Sequence, residues 1–253
     1  MPGGIALSTS WDWTDGRSVC KDLQPDIMQK HLGHMVRILA IVNILLMTGI
    51  WASTADAANS PARIVVLGDS LAAGFMLSEK DAFPAQLERK LKAAGVAVEI
   101  INAGVSGDTT AAGLGRLDWA VPDGTDAVIL ELGANDALRG LDPSRARRNL
   151  ETIISRLKKR NIEVLLAGMM APGNLGEGYA NAFNAIFPDL AREHDLILYP
   201  FFLQGVAMRH NLNLGDGIHP NARGVAVIVD GIMPKVEELI ARVEARRKQA
   251  PRG

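Results

Sequence analysis

Five short runs of apolar residues recur along the chain, and longer stretches with helical spacing separate them. The runs are rich in valine, isoleucine and leucine and barely alternate with polar residues; they lie at residues 63–68, 98–102, 127–133, 163–168 and 195–199. Parallel strands that are covered on both faces have this composition. The other stretches repeat apolar residues every three or four positions, at residues 83–94, 144–160, 179–194 and 224–247. The alternation predicts an α/β domain of three layers with right-handed crossovers, and Pro234 is expected to kink or divide the last helix.

An apolar run near the N-terminus has the features of a secretory signal. Residues 38–50 follow Arg37 and precede Ala55 and Ala57, which gives a basic start, a short apolar stretch and an Ala-x-Ala end. A membrane span needs about 20 apolar residues, and this run is shorter. We expect residues 35–57 to be a signal peptide that is cleaved after Ala57, which places the protein in the periplasm or outside the cell. A retained anchor and a buried core helix are the alternatives.

Residues 1–34 show neither a helical nor a strand period, and Met35 would serve as the first residue of the signal peptide. We expect residues 1–34 to be a mis-assigned or disordered extension and residues 58–253 to form a single domain. The one cysteine of the chain, Cys20, falls in the extension. The domain therefore has neither a disulfide framework nor a cysteine-based zinc site.

The composition excludes two broad classes of protein. Hydrophobic residues make up 48% of the chain and its formal net charge is −1, so it can bury enough apolar surface to fold and is not intrinsically disordered. The same charge argues against a broad nucleic-acid surface, because such surfaces depend on many Lys and Arg residues that neutralise phosphates.

Small and polar residues follow three of the predicted strands. Gly-Asp-Ser-Leu at residues 68–71 follows the first strand, residues 102–109 follow the second, and Gly-Ala-Asn-Asp at residues 133–136 follows the third. Ligands bind beyond the carboxyl ends of the strands in a sheet of this type. These loops are therefore the predicted site, together with residues 216–220 before the last helix.

The late segment contains a candidate acid/base pair. Asp216 and His219 are three positions apart around Gly217, so one tight turn can set the carboxylate against the imidazole. Pro220 restricts His219 to extended backbone angles. A histidine held in this way can take a proton from a serine hydroxyl and return it to a leaving group. Taken alone, the pair is more typical of a capping or surface turn.

The candidate nucleophiles are serines of the predicted domain: Ser70, Ser78, Ser106, Ser144 and Ser155. Ser144 follows Pro143 and is expected to cap a helix, and Ser155 lies inside one. Ser70 is favoured because it ends the first strand among small residues, and Ser106 in the second loop is its rival. A phosphate-binding loop is disfavoured, since no Walker or GxGxxG pattern follows the first strand. The GxSxG elbow of α/β-hydrolases is also absent around these serines.

Acyl transfer also requires N–H donors for the negative oxygen of the intermediate. Gly107 offers a backbone N–H with no side chain in the way, and Asn135 offers a side-chain amide. The backbone N–H of Ser70 would be a third donor. Asn135 taken alone is equally consistent with a turn residue.

The four blocks, in this order, resemble the SGNH (GDSL) hydrolase family, and most closely its bacterial subgroup of periplasmic arylesterases, acyl-CoA thioesterases and lysophospholipases. The resemblance extends over about residues 63–239 and is carried by the strings VVLGDSLAAGF, INAGVSGDTT, LELGANDALRG and DGIHPNA.

The resemblance implies a flavodoxin-like fold whose five parallel strands have the order 2-1-3-4-5, with helices on both faces. It implies Ser70 as the nucleophile, His219 as the base oriented by Asp216, and an oxyanion hole formed by Ser70, Gly107 and Asn135. The implied enzyme is a serine esterase that cleaves carboxylic esters or thioesters through an acyl-enzyme intermediate, without a metal or another cofactor. Three further carboxylates are expected to make local hydrogen bonds: Asp69, Asp108 and Asp136.

Apolar residues near these loops are candidates for binding an aryl group or a short to medium acyl chain: Met76, Leu77, Leu138, Leu141 and Pro172. Such residues are also the commonest core fillers. A lysophospholipase or thioesterase acting on longer lipid chains is the first alternative. The others are a non-catalytic flavodoxin-like protein that binds a small anion, and a carbohydrate esterase, which the low aromatic content disfavours.

Overall fold

The computed structural model describes residues 60–249, which contain one five-stranded parallel sheet. The expectations for residues 1–57 lie outside this part of the chain. The strand order is β2-β1-β3-β4-β5, which confirms the predicted architecture. The strands are β1 (Ala62–Gly68), β2 (Val98–Gly104), β3 (Ala127–Glu131), β4 (Glu163–Ala167) and β5 (Ile197–Tyr199).

Helices cover both faces of this sheet. Within residues 60–249 they are α1 (Ser70–Ala73), α2 (Phe83–Ala93), α3 (Thr110–Gly115), α4 (Leu117–Ala120), α5 (Ala134–Leu138), α6 (Pro143–Lys159), α7 (Glu177–Asn184), α8 (Ile186–His194) and α9 (Ala222–Gln249). Helices α2 and α9 pack together on one face, and α3, α7 and α8 pack with α6 on the other. Short 3₁₀ turns occupy Glu79–Asp81, Gly173–Leu175 and His210–Leu212.

The core lies on both faces of the central strands. Residues 64–67 of β1 and 127–131 of β3 are fully buried, as expected for strands between two helical layers. The prediction that all five strands are covered on both faces is wrong for β2. This strand is at the edge of the sheet, and it exposes Glu99 and Asn102 to solvent.

Three local predictions are corrected by the structure. The predicted helix at 179–194 is two helices, α7 and α8, which meet at Ala185. Of the two outcomes expected at Pro234, a kink or a division, division is wrong: helix α9 continues through Pro234, with buried residues on either side of it. The N-cap of α6 is Asp142 rather than Ser144, since the Asp142 carboxylate accepts the Ser144 backbone N–H at 2.8 Å.

The two ends of the described chain meet at the amino end of the sheet. Arg247, near the end of α9, donates hydrogen bonds to the carbonyl oxygens of Ser60 (2.7 Å) and Pro61 (3.3 Å). Its guanidinium also pairs with Asp126, just before β3, at 2.6 Å. These contacts lie at the end of the sheet opposite the polar loops that follow the strands. Among the described residues, no helix combines the length and hydrophobicity that a membrane crossing requires.

Candidate active site

Helix α1 begins directly after β1, and its first residue is Ser70. Asp69 caps this helix, because its Oδ1 accepts the backbone N–H of Leu71 at 3.0 Å. The end of β2 packs against the same helix so closely that a Cβ on Gly104 would lie 2.3 Å from the backbone nitrogen of Ala73. The turn that carries Ser70 is therefore fixed by two strands and by its own cap.

The structure brings Ser70, His219 and Asp216 into one chain of hydrogen bonds. His219 Nε2 lies 2.9 Å from Ser70 Oγ, and His219 Nδ1 lies 2.6 Å from Asp216 Oδ2. These residues are 149 and 3 positions apart along the chain, so the fold creates the first contact and a turn creates the second. The alternative that this DxxH segment is only a capping turn does not account for the contact with Ser70.

The turn that carries Asp216 also fixes its charge. Asp216 Oδ1 accepts the backbone N–H groups of Ile218 (2.9 Å) and His219 (3.0 Å). These bonds and the His219 ring lower the pKa of Asp216 to about 2. The carboxylate is then ionised and can only accept hydrogen bonds, so Nδ1 of His219 carries the proton. The Nε2 of a neutral ring is left as an acceptor for the Ser70 hydroxyl.

An aromatic ring holds the other side of His219. Phe75 packs against the imidazole with 4.4 Å between ring centroids and an interplanar angle of 36°. Sequence reasoning missed this residue, because nothing in the local pattern shows that the chain after α1 turns back toward His219.

Of the two predicted oxyanion donors outside the Ser70 turn, Asn135 lines the cleft beside Ser70 and Gly107 does not. Asn135 lines the same cleft as Ser70 and His219. Its Nδ2 also donates to Asp69 Oδ2 at 3.1 Å, which fixes the amide plane. Gly107 has a φ of +86° in the loop after β2 and is not among the residues that line the cleft.

The rival serines have other surroundings. Ser106 is exposed and does not line the cleft. Ser78 donates to Asp81 Oδ2 at 2.6 Å, and Ser144 donates to the carboxylate that caps α6. The geometry therefore favours Ser70.

The three neighbouring carboxylates make the local hydrogen bonds that we predicted. Asp69 accepts bonds from α1 and from Asn135, as described above. Asp136 accepts the N–H and the hydroxyl of Thr110 at 2.8 and 2.7 Å. Asp108 pairs at 2.5 Å with the buried Arg116, which also donates to the Gly68 carbonyl at 2.9 Å.

An apolar cleft of about 170 Å³ opens beside Ser70. It is lined by Ser70, Leu71, Ala134, Asn135, Ala137, Leu138, Met169, Met170, Pro172, Leu203, Ile218 and His219. Leu138 and Pro172 were predicted to bind substrate. The sequence pattern missed four apolar residues of this lining, which come from the ends of β4 and β5 and from the His219 turn: Met169, Met170, Leu203 and Ile218.

The other three predicted substrate residues do not line this cleft. Leu77 packs against the hydrophobic core. Met76 has 79% of its surface exposed, and Leu141 lies beyond α5, where its carbonyl accepts the Tyr179 hydroxyl at 2.8 Å. Proximity in sequence to the site loops was the only basis for these three, and the turns after α1 and α5 direct them elsewhere.

Sequence reasoning also missed a buried carboxyl group next to the turn that carries Ser70. Glu131, the last residue of β3, is fully buried, and its Oε2 accepts the backbone N–H of Asp69 at 3.2 Å. Burial and the nearby Asp69 charge raise the pKa of Glu131 well above its ordinary value. Burial also raises the pKa of Asp69 to about 6. The available signal was one charged residue inside an otherwise apolar strand.

One group of metal-ligating side chains comes together within residues 60–249. Candidate ligand atoms of Glu151, Glu193 and His194 lie within 4.8 Å of one another on α6 and α8. Glu193 is already paired with Arg147 at 2.5 Å, and none of the three lines the cleft.

Comparison with known proteins agrees with this geometry. Residues 66–227 match the GDSL-like Lipase/Acylhydrolase family. The chain is 38% identical over 178 residues to the thioesterase 1/protease 1/lysophospholipase L1 of Escherichia coli (strain K12), a match that covers 70% of this chain and 84% of that protein. It is 36% identical over 187 residues to an arylesterase of Vibrio mimicus, with 74% and 90% covered.

A solved structure is similar as well. AlinE4, an SGNH-hydrolase family esterase, aligns with a TM-score of 0.61 and 46% identity, covering 71% of this chain and 97% of that one. These matches confirm the family resemblance that the four sequence blocks predicted.

Proposed function

Because the chain belongs to the GDSL-like lipase/acylhydrolase family, we propose that it is a serine ester hydrolase that works through an acyl-enzyme intermediate. The observation that carries this proposal is the hydrogen-bonded series Asp216–His219–Ser70 at the edge of an apolar cleft. A protein that only bound a small anion would need neither the serine–histidine contact nor the apolar lining.

In the first half-reaction Ser70 Oγ attacks the carbonyl carbon while its proton passes to His219 Nε2. The Asp216 carboxylate stabilises the imidazolium that forms. The carbonyl oxygen becomes negative and accepts hydrogen bonds from the backbone N–H groups of Ser70 and Gly107 and from the Asn135 amide. Each such donor contributes about 2.7–4 kcal/mol to the stability of the transition state when well placed.

The tetrahedral intermediate then collapses. The bond to the leaving oxygen or sulfur breaks, His219 protonates that atom, and the acyl group stays on Ser70 as an ester. In the second half-reaction His219 takes a proton from water as the water oxygen attacks the acyl carbon. Collapse of the second intermediate releases the carboxylic acid, and His219 returns the proton to Ser70.

The size of the cleft supports an aryl group or a short to medium acyl chain as the bound portion of the substrate. Its volume of about 170 Å³ lies below the roughly 300–1,000 Å³ of pockets that enclose drug-sized ligands. One observation favours the alternative of longer lipid chains: Leu138, Met170 and Ile218 line the cleft and are 46–52% exposed. A long chain could extend over this rim.

The catalytic proposal is tested with a serine-directed organophosphonate and p-nitrophenyl esters. Wild type should gain one phosphonyl group, detected by mass spectrometry, and should hydrolyse p-nitrophenyl acetate. Ser70→Ala should do neither, whereas Ser106→Ala, the matched control, should behave as wild type. A wild type that gains no adduct and hydrolyses no ester would refute the proposal, and activity that is lost in Ser106→Ala but kept in Ser70→Ala would move the nucleophile.

Substrate choice is tested with p-nitrophenyl esters of two to sixteen carbons, roughly the span from small to lipid-sized acyl groups. We expect kcat/KM to reach its maximum at short or medium chains and then to fall. A value that keeps rising toward the longest chains, with hydrolysis of lysophospholipids or acyl-CoA, would favour the alternative.

We also propose that the enzyme is exported by residues 35–57. The support is the Arg37 start, the apolar run 38–50 and the Ala55-x-Ala57 end. N-terminal sequencing of enzyme recovered from the periplasm of a bacterial host should begin at Ala58. Active enzyme that still carries Met35 in the membrane fraction would contradict cleavage and support a retained anchor.

A further inference from the structure

Glu131 lies beneath the nucleophile turn, in the interior of the molecule. It is the last residue of β3, the strand beside β1, and it is paired in register with Gly68. Its side chain is fully buried. A Cβ on Gly68 would lie only 2.6 Å from Glu131 Oε2, so the glycine of this turn leaves the space that the carboxyl group occupies.

This carboxyl group is hydrogen-bonded to the residue that precedes Ser70. The backbone N–H of Asp69 donates to Glu131 Oε2 at 3.2 Å. Asp69 in turn accepts the Asn135 amide at 3.1 Å. One buried side chain is thus linked to the residue before the nucleophile and, through Asp69, to an oxyanion donor.

Packing alone does not explain a glutamate at this position. Burial of a carboxyl group is costly unless its hydrogen bonds are satisfied, and Glu131 Oε1 has no hydrogen-bond partner among the described residues. Burial and the Asp69 charge raise the pKa of Glu131, which favours the neutral form of the side chain. An apolar residue of similar size would fill the site at lower cost.

We propose that Glu131 is a positioning residue for Ser70: its carboxyl oxygen fixes the backbone just before the nucleophile and, through Asp69, the amide of Asn135. This role rests on the proposed ester hydrolysis. It requires a hydrogen-bond acceptor at the end of a side chain of this length and does not require a negative charge.

The test compares three variants of the full chain. Glu131→Gln keeps an acceptor oxygen at the same distance and should retain most of kcat. Glu131→Met has a similar size without the acceptor and should lower kcat by about 10- to 100-fold, since a misplacement near 1 Å can cost that much. KM should stay within about threefold of wild type, because the apolar cleft is unchanged. The rate of phosphonylation of Ser70 should fall in parallel with kcat.

A destabilised control separates positioning from loss of stability. Leu157→Ala removes a fully buried side chain near the end of α6, at the end of the sheet opposite the cleft, and should lower stability to denaturant while kcat stays at the wild-type value. If Glu131→Met does not fold, Glu131→Asp replaces it. Its oxygen is one methylene group further from the Asp69 N–H, and kcat should fall about 10-fold.

The outcomes distinguish this inference from the proposed function. Folded Glu131→Met or Glu131→Asp with wild-type kcat would overturn the positioning role, as would a Glu131→Gln variant impaired as strongly as Glu131→Met. In both cases an active wild type leaves the hydrolase proposal intact. A wild type that is inactive on all esters and gains no phosphonyl group would overturn both.

Discussion

At the scale of single residues, the charge of Asp216 determines how His219 can act. The carboxylate is ionised because two backbone N–H groups and the imidazole lower its pKa to about 2. The ring proton is therefore held on Nδ1, and Nε2 faces the Ser70 hydroxyl as an acceptor. An amide at position 216 would offer its own N–H groups and would no longer select this tautomer.

We therefore expect Asp216→Asn to lower kcat on p-nitrophenyl acetate by roughly 10³- to 10⁴-fold, with a small change in KM, as in other serine hydrolases that lose this carboxylate. Asp123→Asn is the matched control, because the Asp123 side chain is fully exposed, and its kcat should equal that of wild type. Steady-state kinetics at constant pH measure both. A loss in Asp216→Asn below about tenfold would mean that the carboxylate does not set the tautomer.

At the scale of elements, the site depends on how closely β2 approaches α1. Strand β2 pairs with β1 through Gly104 and Gly68. The Gly104 backbone also packs closely against helix α1, which begins with Ser70. A side chain at position 104 would meet the backbone of Ala73 and Ala72. Backbone cannot rotate away as a side chain can, so the helix itself would have to move.

Gly104→Ala should therefore lower the free energy of unfolding by about 1–3 kcal/mol, the usual effect of overpacking. The same displacement of α1 should reduce kcat at least about tenfold. Gly115→Ala is the control, since a Cβ on this helical glycine of α3 meets nothing within 4 Å. It should raise stability by about 0.5–1 kcal/mol and leave kcat unchanged. Urea unfolding measures the free energy of unfolding of both variants, and ester kinetics measure kcat. Equal stability and equal kcat in the two variants would contradict the close approach of β2 to α1.

The strands and the Asp216–His219 pair were predictable because their signals are local. Apolar runs identify the buried strands, and the turn chemistry around Gly217 identifies the Asp216–His219 pair. The contacts of Phe75 with His219 and of Glu131 with Asp69 depend on which loops and strands become neighbours in the fold. The sequence around Phe75 or Glu131 contains no pattern that identifies this partner. The half-exposed state of β2 likewise follows from its place at the sheet edge, which periodicity does not encode.

At the scale of the whole molecule, two buried carboxyl groups make stability depend on pH. The pKa of Asp69 is about 6 in the folded protein against an ordinary value of 3.8. At a pH between these two pKa values, Asp69 keeps its proton in the folded chain and has released it in the unfolded chain. Stability from this group is therefore complete below about pH 4 and is lost as the pH rises through 6. Glu131, whose pKa is also raised by burial, acts with the same sign.

We expect the free energy of unfolding of wild type to fall by up to about 3 kcal/mol between pH 4 and pH 7 on account of Asp69. Asp69→Asn carries no titratable group there, so the free energy of unfolding of wild type minus that of the variant should fall as the pH rises. Guanidinium unfolding at four pH values in this range measures the free energy of unfolding of both proteins. Parallel stability curves for the two proteins would show that Asp69 titrates in the folded state as it does in the unfolded chain.

The ion pairs of Arg247 have a practical consequence for handling the enzyme. The ion pair with Asp126 and the hydrogen bonds to the Ser60 and Pro61 carbonyls hold the end of α9 and the start of β1 at the same end of the sheet, and the cleft opens at the other. An immobilisation tag attached after residue 249 would therefore hold the enzyme to a resin by the side remote from Ser70. Substrates would reach the cleft from the liquid phase, and the immobilised enzyme should keep the KM of the free enzyme.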